Sequence, residues 1–211
     1  MKQLIIIGAG GFGREVFSWA LGTEEYGREY AIKGFLDDNP SALGHTVLPV
    51  GIIGSVRDYE PSEDDVFVCA MGRPAVKEEC CGLIRGRGGE FVNIVHRSVV
   101  IGRNVVLGKG VILCPGVTLT CDIRVGDFVS FNLNCAVGHD VVVGDYSQMS
   151  SFCDLTGGVR LGKGVFMGSH ASILPGVTIG DGAVIGAGSV VVSNVGPGLT
   201  VIGVPAKRWE G

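Results

Sequence analysis

The sequence predicts a two-part fold, a small Rossmann-like α/β domain followed by a long all-β coil of short parallel strands. Three observations carry this. Apolar residues recur every six positions through the second half, the first forty residues read strand, glycine turn, helix, strand, and glycine occurs 36 times in 211 residues. That glycine content is at least twice the roughly 7% of typical chains, as repeated tight corners would require.

The N-terminal part is read first. Leu4 to Ile7 is a buried strand, Gly8-Ala-Gly-Gly-Phe-Gly13 a glycine turn, and Arg14 to Leu21 a helix. Gly8, Gly10 and Gly13 fit the G-x-G-x-x-G spacing, in which backbone amides at a helix N-terminus approach a phosphate. The strand from Ala31 to Leu36 ends in Asp37-Asp38, about where an acidic residue would meet a ribose hydroxyl. A third strand, Asp65 to Met71, ends at Gly72; a helix follows from Pro74 to Ile84, and Glu90 to Val95 leads onward. The domain has room for one mononucleotide-sized half, which disfavours an NAD-linked oxidoreductase.

In the second part, stepping by six from Val95 to Val191 meets seventeen positions, all of them apolar. At 46% hydrophobic residues overall, such a run has a chance on the order of one in several hundred thousand. Glycine often follows the apolar residue, as at Gly102, Gly108, Gly126 and Gly138, and valine often stands two places before it, as at Val99, Val105, Val111 and Val117. A period of six is neither helical nor simply alternating. It fits a short strand and a tight corner, three of which close a triangular turn, so that residues eighteen apart stack roughly 4.8 Å apart. The division is expected at 1–92 and 93–211.

Composition narrows the function. Seventeen basic against 21 acidic residues give a net charge of -4, with no field to attract nucleic acid or an anionic membrane. A small-molecule partner is expected. The Leu4 to Ile7 run is too short for a signal-peptide core or a membrane span, so a cytoplasmic protein is expected. Seven cysteines without C-x-x-C spacing read as buried free thiols rather than a disulfide frame or a zinc site.

Residues 93 to 208, with their unbroken period and the closing Val201-Ile-Gly-Val-Pro-Ala-Lys-Arg208, resemble the hexapeptide-repeat acyltransferases. That resemblance implies a left-handed parallel β-helix and a homotrimer with the active site between subunits. With the N-terminal glycine turn included, the whole chain resembles bacterial sugar acetyltransferases of the PglD and NeuD kind, which modify nucleotide-linked amino sugars or sialic acids in cell-surface polysaccharide biosynthesis. The resemblance implies acetyl-CoA as co-substrate. It places the sugar nucleotide at Gly10, Gly11, Phe12, Asp37, Asp38 and Gly72, with Phe12 standing where UDP-sugar members often have histidine. It places Asn132 near the reactive amine, and the cofactor along Gln148, Gly157, Ser169, Ala187, Lys207 and Arg208. Gln148 and Ala187 depart from the histidine and glycine common in the family.

Acyl transfer needs a base for the nucleophile and a donor for the oxyanion. Four histidines are available. His45 reads as a loop residue and His96 as a junction residue. His139, two places after the inward Val137, projects outward at a corner beside Asp140, and its stacked neighbour eighteen residues on is Gly157. The missing side chain there leaves space for the pantetheine arm and exposes an amide. The resemblance agrees, implying His139 as base and Asp140 as its acidic partner. His170, stacked between Phe152 and Gly188, reads as packing, and Cys121, stacked before His139, as a spectator thiol. His96, His139 and His170 are not related by eighteen, so no metal is expected. The predicted reaction is N-acetylation of a UDP- or GDP-linked amino sugar. O-acetylation of a sialic acid or polysaccharide sugar, and a non-catalytic nucleotide-sugar-binding scaffold, are the alternatives.

Overall fold

The computed structural model describes residues 1–44 and 46–210; His45 lies outside them. The chain forms two compact units, Met1–Arg97 and Ser98–Gly211, an α/β domain and a parallel β-helix.

The first unit is built on a parallel sheet. Strand β1 (Lys2–Ile7) leads into helix α1 (Gly11–Ala20) and β2 (Tyr30–Leu36); β3 (Ile52–Gly54), β4 (Asp65–Cys69), α2 (Pro74–Gly86) and β5 (Glu90–Phe91) follow. The strand order is β3-β2-β1-β4-β5. Leu4, Ile5, Ile6 and Ile7 are fully buried, because a central parallel strand is covered on both faces. Helix α1 packs through Gly13, Val16, Phe17 and Ala20, the three- and four-residue spacing of one helical face. A β-carbon at Gly13 would stand 1.9 Å from the Gly8 carbonyl oxygen, so only glycine lets the helix start this close to the strand. The three-residue strand β3 was not expected from the sequence. It lies at the sheet edge and follows Pro49 and Gly51, residue types that favour turns over strands.

Buried polar groups brace the far end of this sheet. The Asp65 carboxylate, with no exposed side-chain surface, accepts hydrogen bonds from Lys33 Nζ at 2.7 Å, the Tyr59 hydroxyl at 2.8 Å and the Ser62 amide at 2.9 Å. Burial alone would raise its pKa. The hydrogen bonds from Lys33, Ser62 and Tyr59 outweigh that and hold it at about 2.

The second unit repeats two-residue strands whose register advances by eighteen: Leu119 pairs with Val137, Val137 with Leu155, Leu155 with Ile173, and Ile173 with Val191. Six strands stack on one face and five on the next. The inward residues of the period, such as Leu119, Phe131, Met149, Leu155 and Ile173, are fully buried. At each corner one residue adopts a left-handed conformation, filled by glycine or by Asn104, Asp122, Phe128, Asn134, Asp140, Tyr146, Phe152 and His170. The chain closes with Thr200–Ile202 paired antiparallel to Lys207–Arg208. Among the described residues no helix is long and apolar enough to cross a membrane.

Candidate active site

In the α/β domain the chain reverses direction across the sheet between β1 and β4, the place where parallel sheets bind ligands at the carboxyl ends of their strands. The β1 turn and the β4 turn meet there, since the Ala70 amide donates to the Ile7 carbonyl at 2.8 Å and Met71 lies against Gly8. Nothing lies within 4 Å of where a β-carbon would stand at Gly10, Gly11 or Gly72. The α1 N-terminus is therefore uncrowded at its glycines, and the first amides of a helix have no intrahelical acceptor, as an anion site requires. Phe12 is half-buried in the same turn. Met71, Gly72, Arg73 and Val76 line a cavity of about 380 Å³. Arg73 was not anticipated from the sequence; its signal is a basic residue directly after Gly72, in the turn that follows β4.

The paired aspartates have backbone partners. Asp37 accepts from the Ala9 amide at 2.8 Å and the Asn39 amide at 2.9 Å, so it ties the glycine turn to the end of β2. Asp38 accepts from the Val56 amide at 2.9 Å and from Arg57 Nε at 3.2 Å. Each carboxylate oxygen keeps a further lone pair. His96 packs edge-on against Trp19, ring centroids 6.0 Å apart, and beside Gly22.

In the β-helix one edge stacks Cys121, His139, Gly157 and Pro175 at successive coils. His139 Nδ1 lies 2.8 Å from Asp140 Oδ2, and both side chains are about two-thirds exposed. With Nδ1–H donating to the carboxylate, Nε2 keeps the lone pair. Nε2 lies over Gly157, where an added β-carbon would stand 2.6 Å away. The space left by the missing side chain is thus filled by the imidazole itself rather than left open for a pantetheine arm.

The Gly157 amide donates to no partner among the described residues. On the neighbouring edge the equivalent amides are occupied: Asp127, Asp145 and Asp181 each accept, through Oδ1 at 2.8 Å, from an amide one coil below. The column after His139 has glycine and proline and offers no such acceptor. A β-carbon at Gly138 would come within 2.7 Å of the Gly157 nitrogen, so glycine at 138 leaves that amide uncovered. An imidazole nitrogen with a lone pair and an amide without an acceptor therefore adjoin.

One coil before Asp140, Asp122 accepts from Asn104 Nδ2 at 2.9 Å, and this bond, with the Cys121 thiol and the charge of His139, lowers its pKa. The Cys121 thiol is pushed up by its hydrogen bond to Asp122, which disfavours the thiolate a nucleophile needs. Asn104, Asp122, Arg124 and Asp140 border a cavity of about 420 Å³.

The remaining expected residues are dispersed. The Asn132 side-chain oxygen accepts from the Leu133 amide at 2.7 Å. Gln148 is only 4% exposed, so this side chain presents no open surface to a cofactor. Half-buried Ser169 and exposed Ala187 stack on a different edge from His139. Lys207 and Arg208 are exposed, and Arg208 borders a cavity of about 380 Å³ with Thr200, Trp209 and Glu210. Among the described residues no three His, Cys, Asp or Glu side chains are grouped to hold a metal.

Two family models match, the PglD N-terminal domain over residues 3–82 and the bacterial transferase hexapeptide (six repeats) over residues 158–193. PerB from Caulobacter crescentus, solved in complex with CoA and GDP-perosamine, is 30% identical, with 100% of this chain and 98% of that chain covered and a TM-score of 0.86. The chain belongs to the hexapeptide-repeat sugar acetyltransferases. WeeI from Acinetobacter baumannii AYE is another similar structure, 28% identical over 99% of this chain and 100% of that one, with a TM-score of 0.86. The acetyltransferase domain of PglB from Neisseria gonorrhoeae FA1090 is 25% identical over 99% and 100%, with a TM-score of 0.89. Among curated proteins none matches. This acetyltransferase thus shares its whole length, α/β domain included, with these relatives.

Proposed function

We propose that the protein transfers an acetyl group from acetyl-CoA to the amine of a nucleotide-linked amino sugar, with His139 as general base. The observation that carries this is the His139–Asp140 pair, 2.8 Å apart, with Nε2 directed over Gly157 beside an unengaged amide. His139 Nε2 takes the proton as the substrate nitrogen attacks the thioester carbon, and Asp140 stabilises the imidazolium that forms. The Gly157 amide donates to the developing oxyanion. The C–S bond then breaks, and the proton on Nε2 passes to the leaving thiolate. The nucleotide portion is held by the α/β domain, with its phosphates at the open amides of Gly10, Gly11 and Phe12 and near Gly72. The solved complex of PerB with CoA and GDP-perosamine supports this substrate class.

Assembly follows from the edges. His139 and Gly157 lie on one edge of the prism, Ser169 and Ala187 on another. A site using both sets needs a second copy to bring its edge alongside, and a closed ring of three does so at every interface. Lys207 and Arg208 supply positive charge for the phosphates of CoA. The test is thiol release from acetyl-CoA with UDP- and GDP-linked amino sugars beside free sialic acid. Release with a nucleotide-linked amine is expected; release with free sialic acid and with no amino sugar overturns the assignment.

A further inference from the structure

Phe152 is strained without the burial that would offset the strain. It fills a left-handed corner with φ of 61°, which glycine and asparagine accept readily and a phenylalanine does not, yet the residue is 47% exposed. The other aromatic corner pair, Phe128 and Tyr146, is 2% and 6% exposed and is explained by its packing. One face of the Phe152 ring is backed by the His170 imidazole, centroids 4.8 Å apart and planes at 5°. The other face looks towards the coil of Asn134, whose side-chain oxygen lies against Gly116 on the far side of that coil. A ring is thus held rigidly on the outside of the prism with one face uncovered. Strain of this kind persists where a function needs it.

Its level along the prism points to what it serves. The chain climbs roughly 4.8 Å per coil of eighteen residues, so Phe152 stands ~3.5 Å above His139 and ~1.3 Å below Gly157. On its edge only Ser151 and Phe152 fall between those two levels; Leu133 and Asn134 lie below, Ser169 and His170 above. Within one copy Phe152 cannot reach His139, because its corner follows Gln148–Met149 and that of His139 follows Ala136–Val137, two edges of the same coil. Prisms standing side by side about a rotation axis parallel to their own keep every residue at its level. The edge that a neighbouring copy brings to the space between His139 and Gly157 therefore presents Phe152 there.

We propose that Phe152 is a positioning residue that acts across the subunit boundary: its ring walls the space between a neighbouring copy's His139 and Gly157 and keeps water out, so that the acceptor amine is the nucleophile the base serves. This rests on the reaction and the ring of three proposed above. A phenyl ring has no donor or acceptor with which to hold a water in line with Nε2. Excluding water also strengthens the hold of the Gly157 amide on a developing oxyanion. The stacked His170 fixes the ring from behind.

Phe152→Gly suits the left-handed corner, so fold and assembly persist. Transfer falls by about tenfold to a hundredfold, the scale of a loosely held reaction centre, while hydrolysis of acetyl-CoA without an acceptor rises; Phe152→Tyr, which keeps the ring, restores both. Chains carrying His139→Ala and chains carrying Phe152→Gly are then co-expressed. Random rings join an intact His139 edge to an intact Phe152 edge at about one interface in four, so the mixture regains about a quarter of wild-type transfer. No gain in the mixture, or unchanged transfer and hydrolysis in Phe152→Gly, overturns the proposal. A cross-link tests the placement without turnover: in a chain carrying both His139→Cys and Phe152→Cys, a short bismaleimide links chains into twos and threes, and either replacement alone leaves them unlinked. Linked chains beside a wild type that transfers no acetyl group remove the reaction and keep the placement of Phe152, whereas chains that stay single overturn that placement.

Discussion

The imidazole of His139 occupies the place where a side chain at Gly157 would begin, with Nε2 2.6 Å from that β-carbon position. Gly157 has no left-handed backbone requirement, so alanine there folds without strain and its methyl group displaces the imidazole. Gly157→Ala is expected to lose about tenfold to a hundredfold in kcat, the scale of a misplaced catalytic group, with thermal stability unchanged. Full activity in this variant means that the imidazole does not work from over Gly157.

A second expectation separates the two aspartates of the α/β domain. Asp37 holds the Ala9 amide and thereby the glycine turn, whereas Asp38 holds Val56 and Arg57. Asp37→Ala is expected to raise the KM for the nucleotide sugar by at least about tenfold, the scale of a part-buried hydrogen bond to a charged group that orders a turn, with little effect on the KM for acetyl-CoA. Asp38→Ala should raise it less. Steady-state kinetics with both substrates varied reads the difference; equal effects on the two substrates contradict the placement.

Most of the fold was legible because the β-helix writes its register into every sixth residue, and each coil repeats the same statement. The geometry of the candidate site was legible where it is local: His139 and Asp140 are adjacent in sequence, and Gly157 follows by the stacking interval. Other features were not. A carboxylate at a strand end reads the same whether it faces a ribose or the Ala9 amide, so the structural duty of Asp37 needed coordinates. The burial of Gln148 depends on tertiary packing, and the short edge strand β3 lacks the periodicity that marks longer ones.

Asp65 makes the stability of the α/β domain sensitive to acid. Its folded pKa, about 2, lies below the ordinary 3.8, so its contribution is complete above about pH 4 and is lost as pH falls through about 2. Asp65→Asn removes that contribution and leaves Lys33 and Tyr59 with a neutral partner. It is expected to cost about 1–3 kcal/mol at neutral pH, and denaturant unfolding should show the gap from wild type closing below pH 4. A constant gap down to pH 2 places the loss elsewhere.

The chain is expected to sediment at three times its 22.0 kDa mass, because a single copy separates His139 from Ser169 and Ala187. Sedimentation equilibrium at assay concentration reads this directly. A fully active monomer excludes a site shared between subunits.

The proposed base gives the sharpest expectation. Removal of a positioned general base costs about a hundredfold to ten-thousandfold in rate, and loss of a solvated histidine almost nothing. His139→Ala is therefore expected to lose at least about a hundredfold in kcat while keeping the assembly and the affinity for both substrates. Asp140→Asn should lose less, because the imidazole remains over Gly157 but its imidazolium is no longer held by a carboxylate 2.8 Å away. Unchanged kcat in His139→Ala, with activity lost instead in a variant of another edge, puts the chemistry at a different corner of the same prism.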